Sequence, residues 1–117
     1  MAKDKDISAE IDKLHKIFEH IQPDKQSLCE SLIQNAAYMA VTLRELQEMI
    51  DRDGLIELYD NGGGQSGKKI GSATQIYQKM LPSYNQVIKT LAGMLPPSEK
   101  ELAVRSADPM ADFLTMR

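Results

Sequence analysis

The sequence predicts a mainly all-α protein: an elongated helical hairpin with an N-terminal helix and a small β-hairpin between its two long helices. Apolar residues recur at three- and four-residue steps in three separate segments, as on the buried face of an amphipathic helix. Breaks that contain proline or glycine separate these segments. Aromatic residues make up only 5% of the chain while Met occurs seven times, which favours helices packed on helices over a sheet sandwich.

The first two helices are predicted over residues 8–21 and 24–52. Ser8 is expected to cap the first helix, and Pro23 breaks the chain between the two. Gly54 is expected to end the second helix, because glycine accepts the left-handed conformation common at helix ends. A helix over residues 24–52 is about 43 Å long, whereas a compact domain of this size is only about 35 Å across. The second helix is therefore expected to project from the body of the protein.

A β-hairpin is predicted over residues 55–70 and a third helix over residues 72–95. Asn61 and Gly62 favour a tight turn because both tolerate a positive φ. Ser72 is a suitable cap for the third helix, and Pro82 is expected to kink that helix because it removes an amide donor. Residues 1–95 are thus interpreted as one helical domain, and residues 96–117 as a flexible tail with a short docking motif.

The hairpin contains a glycine-rich run, GGGQSGKK, at Gly62–Lys69. This run has most of the phosphate-binding pattern G-x-x-x-x-G-K-[ST], in which the last hydroxyl binds Mg²⁺. Here Lys69 stands in that last position, and a lysine cannot bind a cation. The pattern also requires a helix that begins directly after the loop, whereas Ile70 and Gly71 precede the third helix. We therefore predict a hairpin tip and no nucleotide site.

No other group of residues predicts an enzyme. His15 and Glu19 lie one turn apart, but His20 adds no third ligand at a metal-site spacing. Cys29 lies in an apolar stripe, where we expect a buried, unreactive thiol. The sequence thus predicts a protein with no catalytic residue, no metal and no cofactor.

Charge is unevenly distributed along the chain, whose net charge is −3. Residues 55–95 carry four lysines against Glu57 and Asp60, and are the only positively charged segment. A polyanionic partner is expected to meet the protein there. The start of the chain lacks an apolar signal core, and no stretch approaches the ~20 apolar residues of a membrane span. We therefore expect a soluble cytoplasmic protein with no membrane partner.

From Gly54 onward, the order and spacing of many residues follow a known family. They are Gly54, Leu55, Tyr59, Asn61, Gly62, Gln65, Gly67, Lys68, Tyr77, Tyr84, Ile88, Lys89, Leu91, Leu95 and Pro96. The ending ADPMADFLTMR adds a short acidic and apolar motif closed by a basic residue. In these features the chain resembles the small subunit of phage terminases, in the short form found in tailed phages and prophages of Gram-positive bacteria. Pro82 departs from the family pattern, since an ordinary helix former is expected there, and Gly63 and Gly64 replace more varied residues.

The resemblance implies a non-catalytic role in DNA packaging, in the cytoplasm of the bacterial host. Small terminase subunits recognise the packaging site in phage DNA, form homo-oligomers such as rings, and recruit the large ATPase and nuclease subunit. The two long helices also leave more apolar surface than one copy covers, which favours oligomers. The main alternative is a helical structural or adaptor protein of a phage particle without direct DNA binding. A small transcription regulator is a second alternative, although no short recognition helix follows a tight turn.

Two regions are candidates for DNA contact. The positively charged segment offers Lys68, Lys69, Lys79 and Lys89, with Gln65 and Asn61 near the DNA backbone. The N-terminal region offers Lys3, Lys5, Lys13 and Lys16, because larger relatives bind DNA through N-terminal helices. In the tail, Met110, Phe113 and Leu114 fall on one face of a short helix. The resemblance implies that this face docks on the large subunit and folds on contact.

Overall fold

The structure, a computed structural model, describes residues 2–62 and 65–107. The described residues form four α-helices and one β-hairpin. In chain order they are α1 (Ala2–Ile17), a 3₁₀ turn (Pro23–Lys25), α2 (Gln26–Asp53), β1 (Ile56–Gly62), β2 (Gln65–Ile70), α3 (Ser72–Ala92) and α4 (Pro97–Ala107). The predicted mainly helical fold, with a β-hairpin between two long helices, is confirmed.

The four helices enclose one hydrophobic core. Helix α2 packs against α1 and α3, and α4 closes the group by packing against α3 and α1. Three alanines of α2, Ala36, Ala37 and Ala40, are fully buried, and their small side chains let the neighbouring helices approach closely. Larger core residues fill the space around them: Leu14, Phe18, Ile21, Ile33, Leu43, Tyr84, Ile88, Leu91 and Leu95.

One end of the helical hairpin projects beyond this core. Near the start of α1, Lys3 pairs with Glu45 of α2, and at the end of α4, Ala107 contacts Tyr84 of α3. Residues 49–76, here called the arm, lie beyond both points and comprise the end of α2, the β-hairpin and the start of α3. The molecule is accordingly elongated, at 62 × 30 × 29 Å, as the length of the second helix predicts.

Helix α1 spans Ala2–Ile17 rather than the predicted residues 8–21, so the prediction that Ser8 caps it is wrong. The first turns are held by contacts with α2 that a local pattern does not reveal. The Nζ of Lys3 lies 2.9 Å from Oε1 of Glu45 and 4.7 Å from the centroid of the Tyr38 ring. Helix α3 ends at Ala92, before the predicted residue 95, and remains one continuous helix through Pro82.

Helix α4 lies where the sequence predicts a flexible tail, and this corrects the prediction for residues 97–107. Pro97 begins the helix, as proline does readily because the first helical amide needs no partner. Ala103 and Ala107 are buried in the core, and the hydroxyl of Tyr84 donates a hydrogen bond to the carbonyl of Ala107. Two small buried residues make a weak periodic signal, which explains why the sequence does not reveal this helix.

A buried carboxylate joins α1 to α2. Glu10 is only 5% exposed; its Oε1 accepts a 2.6 Å hydrogen bond from Nη2 of Arg44, and Nζ of Lys13 lies 3.6 Å from its Oε2. Because Arg44→Ala leaves this charge with only the longer contact, we expect the free energy of unfolding to fall by about 2 kcal/mol in urea titration. The double variant Glu10→Leu/Arg44→Leu removes both charges and should recover most of that loss. Equal stability of Arg44→Ala and the unchanged protein would contradict the role given to this pair.

An exposed ion pair links α4 to the chain between α1 and α2. Nδ1 of His20 lies 2.7 Å from Oε1 of Glu99, and Nε2 of His20 lies 3.7 Å from Oε1 of Glu19. The hydrogen bond and charge of Glu99 raise the pKa of His20 above its ordinary value of 6.5. A pKa raised by folding means that the contact stabilises fully below pH 6.5 and is lost as pH rises through the folded-state value.

We therefore expect hydrogen exchange of the α4 amides, corrected for its intrinsic pH dependence, to accelerate as pH rises through the folded-state pKa of His20. The variant His20→Gln should abolish this acceleration, while amides at the centre of α2 serve as an internal reference. Protection of α4 that is independent of pH in the unchanged protein would rule out the link.

Candidate nucleic-acid interface

A long acid-free segment distinguishes the second half of the chain. Residues 61–98 contain no Asp or Glu, although the whole chain has 17 acidic residues. All four lysines of the positively charged segment, Lys68, Lys69, Lys79 and Lys89, lie within it, on β2 and α3. A surface built from this segment carries no carboxylate of its own to repel a phosphate.

Helix α3 carries the central part of this segment and exposes one of its faces to solvent. Its inner face is buried through Tyr84, Ile88 and Leu91. Its outer face carries amides, hydroxyls and lysines, all exposed: Gln75, Gln78, Lys79, Ser83, Asn85, Gln86, Lys89 and Thr90. Lys79 and Lys89 are separated by about 15 Å along the helix, a span that covers several phosphates of a DNA duplex. Side-chain amides can bond to phosphate oxygens or to base edges.

Lys68 and Lys69 extend the positive surface onto the β-hairpin. Both are exposed, and as successive residues of β2 they point to opposite faces of the sheet. Lys69 lies opposite Glu57 on β1, with its Nζ 3.9 Å from Oε2 of that residue. Within the described part of the chain, no ion pair neutralises Lys68, Lys79 or Lys89.

Hydrogen bonds join the hairpin to the start of α3, among them one of 3.1 Å that Nε2 of Gln75 donates to the carbonyl of Ile70. The carbonyl of Leu55 accepts a bond of 2.9 Å from the amide of Gly71 and one of 3.2 Å from the hydroxyl of Thr74. Oε1 of Glu57 accepts a bond of 2.9 Å from the amide of Ser72, where the positive end of the helix dipole favours a carboxylate. The lysines of β2 are therefore held in a defined position relative to α3.

The glycine-rich run does not have the geometry of a phosphate-binding loop. Lys68 and Lys69 lie inside the extended strand β2, which pairs antiparallel with β1, and Gly71 separates that strand from α3. A phosphate-binding loop would place its lysine at the first turn of a helix. The predicted hairpin is confirmed, although Gly63 and Gly64 lie outside the described residues.

The alternative N-terminal lysines share helix α1 with acids, and two of them contact a carboxylate. Lys3 is bonded to Glu45, and this hydrogen bond raises the pKa of Lys3. Lys13 lies beside Glu10, while Lys5 and Lys16 are exposed. Four acids of α1 match these four lysines in number: Asp4, Asp6, Glu10 and Asp12. The electrostatic case for DNA contact is therefore weaker on α1 than on α3.

The remaining candidate residues are not described by the structure in full. The side chains of Asn61 and Gln65, and all of Met110, Phe113 and Leu114, lie outside the described part of the structure. The glutamines of α3 are the feature that the sequence analysis missed, and the absence of acids over residues 61–98 is the signal that could have revealed them.

The titratable residues considered for a chemical role in the sequence are buried or paired. Cys29 is buried, and burial, with a smaller effect of Glu30, raises the pKa of its thiol, which disfavours the nucleophilic thiolate. Nε2 of His15 lies 2.6 Å from Oε2 of Glu30 rather than beside Glu19. Over residues 2–62 and 65–107, no three His, Cys, Asp or Glu side chains come close enough to hold a metal ion.

None of the helices in the described ranges is long and apolar enough to span a bilayer. Comparison of the chain with protein-family models, with curated proteins and with solved structures gives no match.

Proposed function

We propose that this chain is the non-catalytic small subunit of a phage DNA-packaging terminase, acting as a homo-oligomer in the cytoplasm of the bacterial host. In this role it recognises the packaging site in phage DNA and recruits the large ATPase and nuclease subunit. The resemblance of residues 54–117 to that family motivates the proposal. The observation that carries it is the outer face of α3, where lysines and amides are exposed and carboxylates are absent.

The charge distribution favours DNA contact through this face alone. The net charge is −3, so most of the surface repels a polyanion. This repulsion favours the orientation in which the acid-free face meets the DNA. Lys79 and Lys89 contact phosphates in this proposal, with Lys68 and Lys69 extending the contact from the hairpin. The amides of Gln75, Gln78 and Gln86 then contact the DNA backbone or the base edges. In an oligomer each copy repeats the patch, so a modest local charge becomes a continuous positive band.

The same proposal leaves ATP hydrolysis and DNA cleavage to the large subunit. The lysines of the glycine-rich run serve as surface charges in a strand, and the buried thiol of Cys29 takes no part in chemistry. Met110, Phe113 and Leu114 of the C-terminal segment dock on the large subunit. This division requires no cofactor and no metal in the small subunit.

A salt series on purified protein tests the proposal. Binding is measured by fluorescence anisotropy on DNA from the packaging region of the same phage, and on unrelated DNA of equal length. We expect tighter binding to the packaging region, and a logarithm of the binding constant that falls linearly with the logarithm of salt concentration. Failure to bind either DNA at low salt would contradict the proposal. The adjacent downstream reading frame should also encode a large protein with a true phosphate-binding loop and an acidic nuclease cluster.

The exposed apolar side chains of the arm favour a second candidate, a helical adaptor of the phage particle that binds only protein. Leu55, Leu58 and Ile76 are exposed in this region, and exposed apolar patches mark contact sites for proteins. An adaptor of this kind would associate with particle proteins and leave the anisotropy of both DNAs unchanged throughout the salt series.

A further inference from the structure

The described part of the chain ends beside the middle of α3. The hydroxyl of Tyr84 donates a hydrogen bond to the carbonyl of Ala107, the last described residue, which holds the end of α4 against α3. Tyr84 stands midway between Lys79 and Lys89 in the sequence, about 7.5 Å along the helix axis from each. The residues after Ala107 therefore begin close to two lysines of the proposed DNA interface.

Helix α4 points towards the arm where it ends. It begins at Pro97, shortly after α3 ends at Ala92, and its last residue, Ala107, contacts Tyr84 in the middle of α3. Helix α4 therefore runs antiparallel to α3. The chain that leaves α4 heads from the level of Tyr84 towards the level of Lys79.

The segment that follows, residues 108–117 (DPMADFLTMR), opens with negative charge. Asp108 and Asp112 are its carboxylates, and its one basic residue is Arg117. Residues 108–116 thus carry two negative charges and no positive charge. The charged residues of α3, by contrast, are two lysines and no acid. A negatively charged segment is therefore tethered next to a positively charged face, and the two attract each other.

The segment is long enough to reach the outer face of α3. Five residues span at most about 17 Å, which sets how far from Ala107 the backbone of Asp112 can extend. Half the circumference of a helix of about 10–12 Å diameter is about 16–19 Å, and the lengths of the lysine and aspartate side chains shorten the path. Lys79 is exposed, and no described residue forms an ion pair with it.

We propose that residues 108–117 fold back over the outer face of α3, where Asp108 and Asp112 pair with Lys79 and compete with DNA for it. This inference rests on the proposed function and names a regulator of its DNA site. The two carboxylates take the place of DNA phosphates, so the segment and DNA exclude each other. DNA that displaces the segment frees its docking motif for the large subunit.

A tether makes this weak contact effective. Exposed ion pairs contribute little to stability, but a short tether gives an effective concentration in the millimolar range. A segment that occupies the face for about four-fifths of the time lowers the apparent DNA affinity about five-fold. A partner that holds the segment away from α3 raises DNA affinity by up to the same factor, because coupling between two binding events is reciprocal.

The first test detects the contact without DNA. A carbodiimide joins a lysine amine directly to a carboxylate that it touches, and mass spectrometry of a digest identifies the pair. We expect links from Lys79 to Asp108 or Asp112 that disappear at about 1 M salt, where the Debye length is about 3 Å. The ion pair of Lys69 with Glu57, at 3.9 Å, is the positive control at low salt. A digest that contains the control link and no link from Lys79 to residues 108–117 overturns the proposal.

Isotope labelling shows whether the contact lies within one chain. Unlabelled chains and chains labelled with heavy nitrogen are mixed before the cross-linker is added. We expect each linked pair of peptides to be wholly light or wholly heavy. Linked pairs that combine a light and a heavy peptide place the contact between copies and overturn the folded-back arrangement.

The second test measures the competition. The variant Asp108→Asn/Asp112→Asn removes both carboxylates and should tighten DNA binding about five-fold in fluorescence anisotropy at about 0.05 M salt. The matched control, Asp12→Asn/Asp51→Asn, makes the same change in net charge at exposed residues of α1 and α2. It should alter the affinity much less, through the long-range field alone. Equal DNA affinity of the two variants overturns the competition, as does a Lys79 cross-link whose yield DNA leaves unchanged.

The outcomes separate this inference from the proposed function. A protein that binds packaging-region DNA but forms no cross-link between Lys79 and residues 108–117 overturns only the inference and leaves DNA packaging standing. A protein that forms this cross-link within one chain but binds no DNA supports the folded-back segment and contradicts the proposed function.

Discussion

Reversing the charge of both exposed lysines on α3, in the variant Lys79→Glu/Lys89→Glu, is expected to weaken DNA binding about 100-fold at about 0.15 M salt. Each lysine contacts a phosphate in the proposed interface, and a hydrogen bond to a charged group contributes about 1.5–3 kcal/mol. The plot of the logarithm of the binding constant against that of salt concentration should become shallower by about two, because two fewer counterions are released. Fluorescence anisotropy across the same salt series measures both quantities.

The matched control reverses two lysines of the alternative region, in the variant Lys5→Glu/Lys16→Glu. Both residues are exposed on α1, so this variant has the same change in net charge and the same low risk to folding. We expect it to weaken binding only slightly, through the long-range field. If this variant loses binding while the α3 variant retains it, the DNA interface lies on α1 and the assignment to α3 is wrong.

Truncating Tyr84 is expected to destabilise the fold more than any surface change. Its side chain is 1% exposed among the helices, and its hydroxyl donates a hydrogen bond to the carbonyl of Ala107 at the end of α4. The variant Tyr84→Ala removes a buried aromatic ring and should lower the free energy of unfolding by about 4 kcal/mol. Since small domains are stable by only about 5–15 kcal/mol, urea titration should show a much lower midpoint.

Two companion variants separate packing from the hydrogen bond. Tyr84→Phe keeps the ring and removes the hydroxyl, so we expect a loss of about 1 kcal/mol together with faster proteolysis within α4. Ser83→Ala changes the exposed neighbour and should shift stability by less than about 0.5 kcal/mol. If Tyr84→Ala costs no more than Tyr84→Phe, the ring does not have the central packing role assigned to it.

The elements with strong local signals were predictable from the sequence. The long helix α2 follows from its apolar periodicity and from Gly54, which has a φ of +89° where the helix ends and suits a residue without a side chain. The β-hairpin follows from the glycine-rich break between its strands, although Asn61 and Gly62, which were expected in the turn, lie in β1. Helix α3 follows from its apolar periodicity; the prediction that Ser72 caps it is wrong, because Gly71 is the N-cap and Ser72 is the first helical residue. Each of these signals acts between residues close in sequence, so no knowledge of the tertiary fold was required.

The start of α1 and the whole of α4 were not predicted from the sequence, because distant residues stabilise them. Helix α1 extends back to Ala2, where Lys3 contacts Glu45 and Tyr38 of α2. Helix α4 contributes only two small residues, Ala103 and Ala107, to the core, and so few apolar positions do not stand out as a periodic pattern. In both cases packing against another helix decides the structure, and local propensity does not.

The sequence by itself determined the order of the elements up to α3, the projecting length of α2 and the acid-free character of residues 61–98. These properties depend on composition and on spacing along the chain. Only the tertiary structure decided which lysines stay unpaired: it brings Lys3 to Glu45 and leaves Lys79 and Lys89 exposed on α3. Ion pairing depends on distance in space, and residues far apart in sequence become neighbours only when the helices pack.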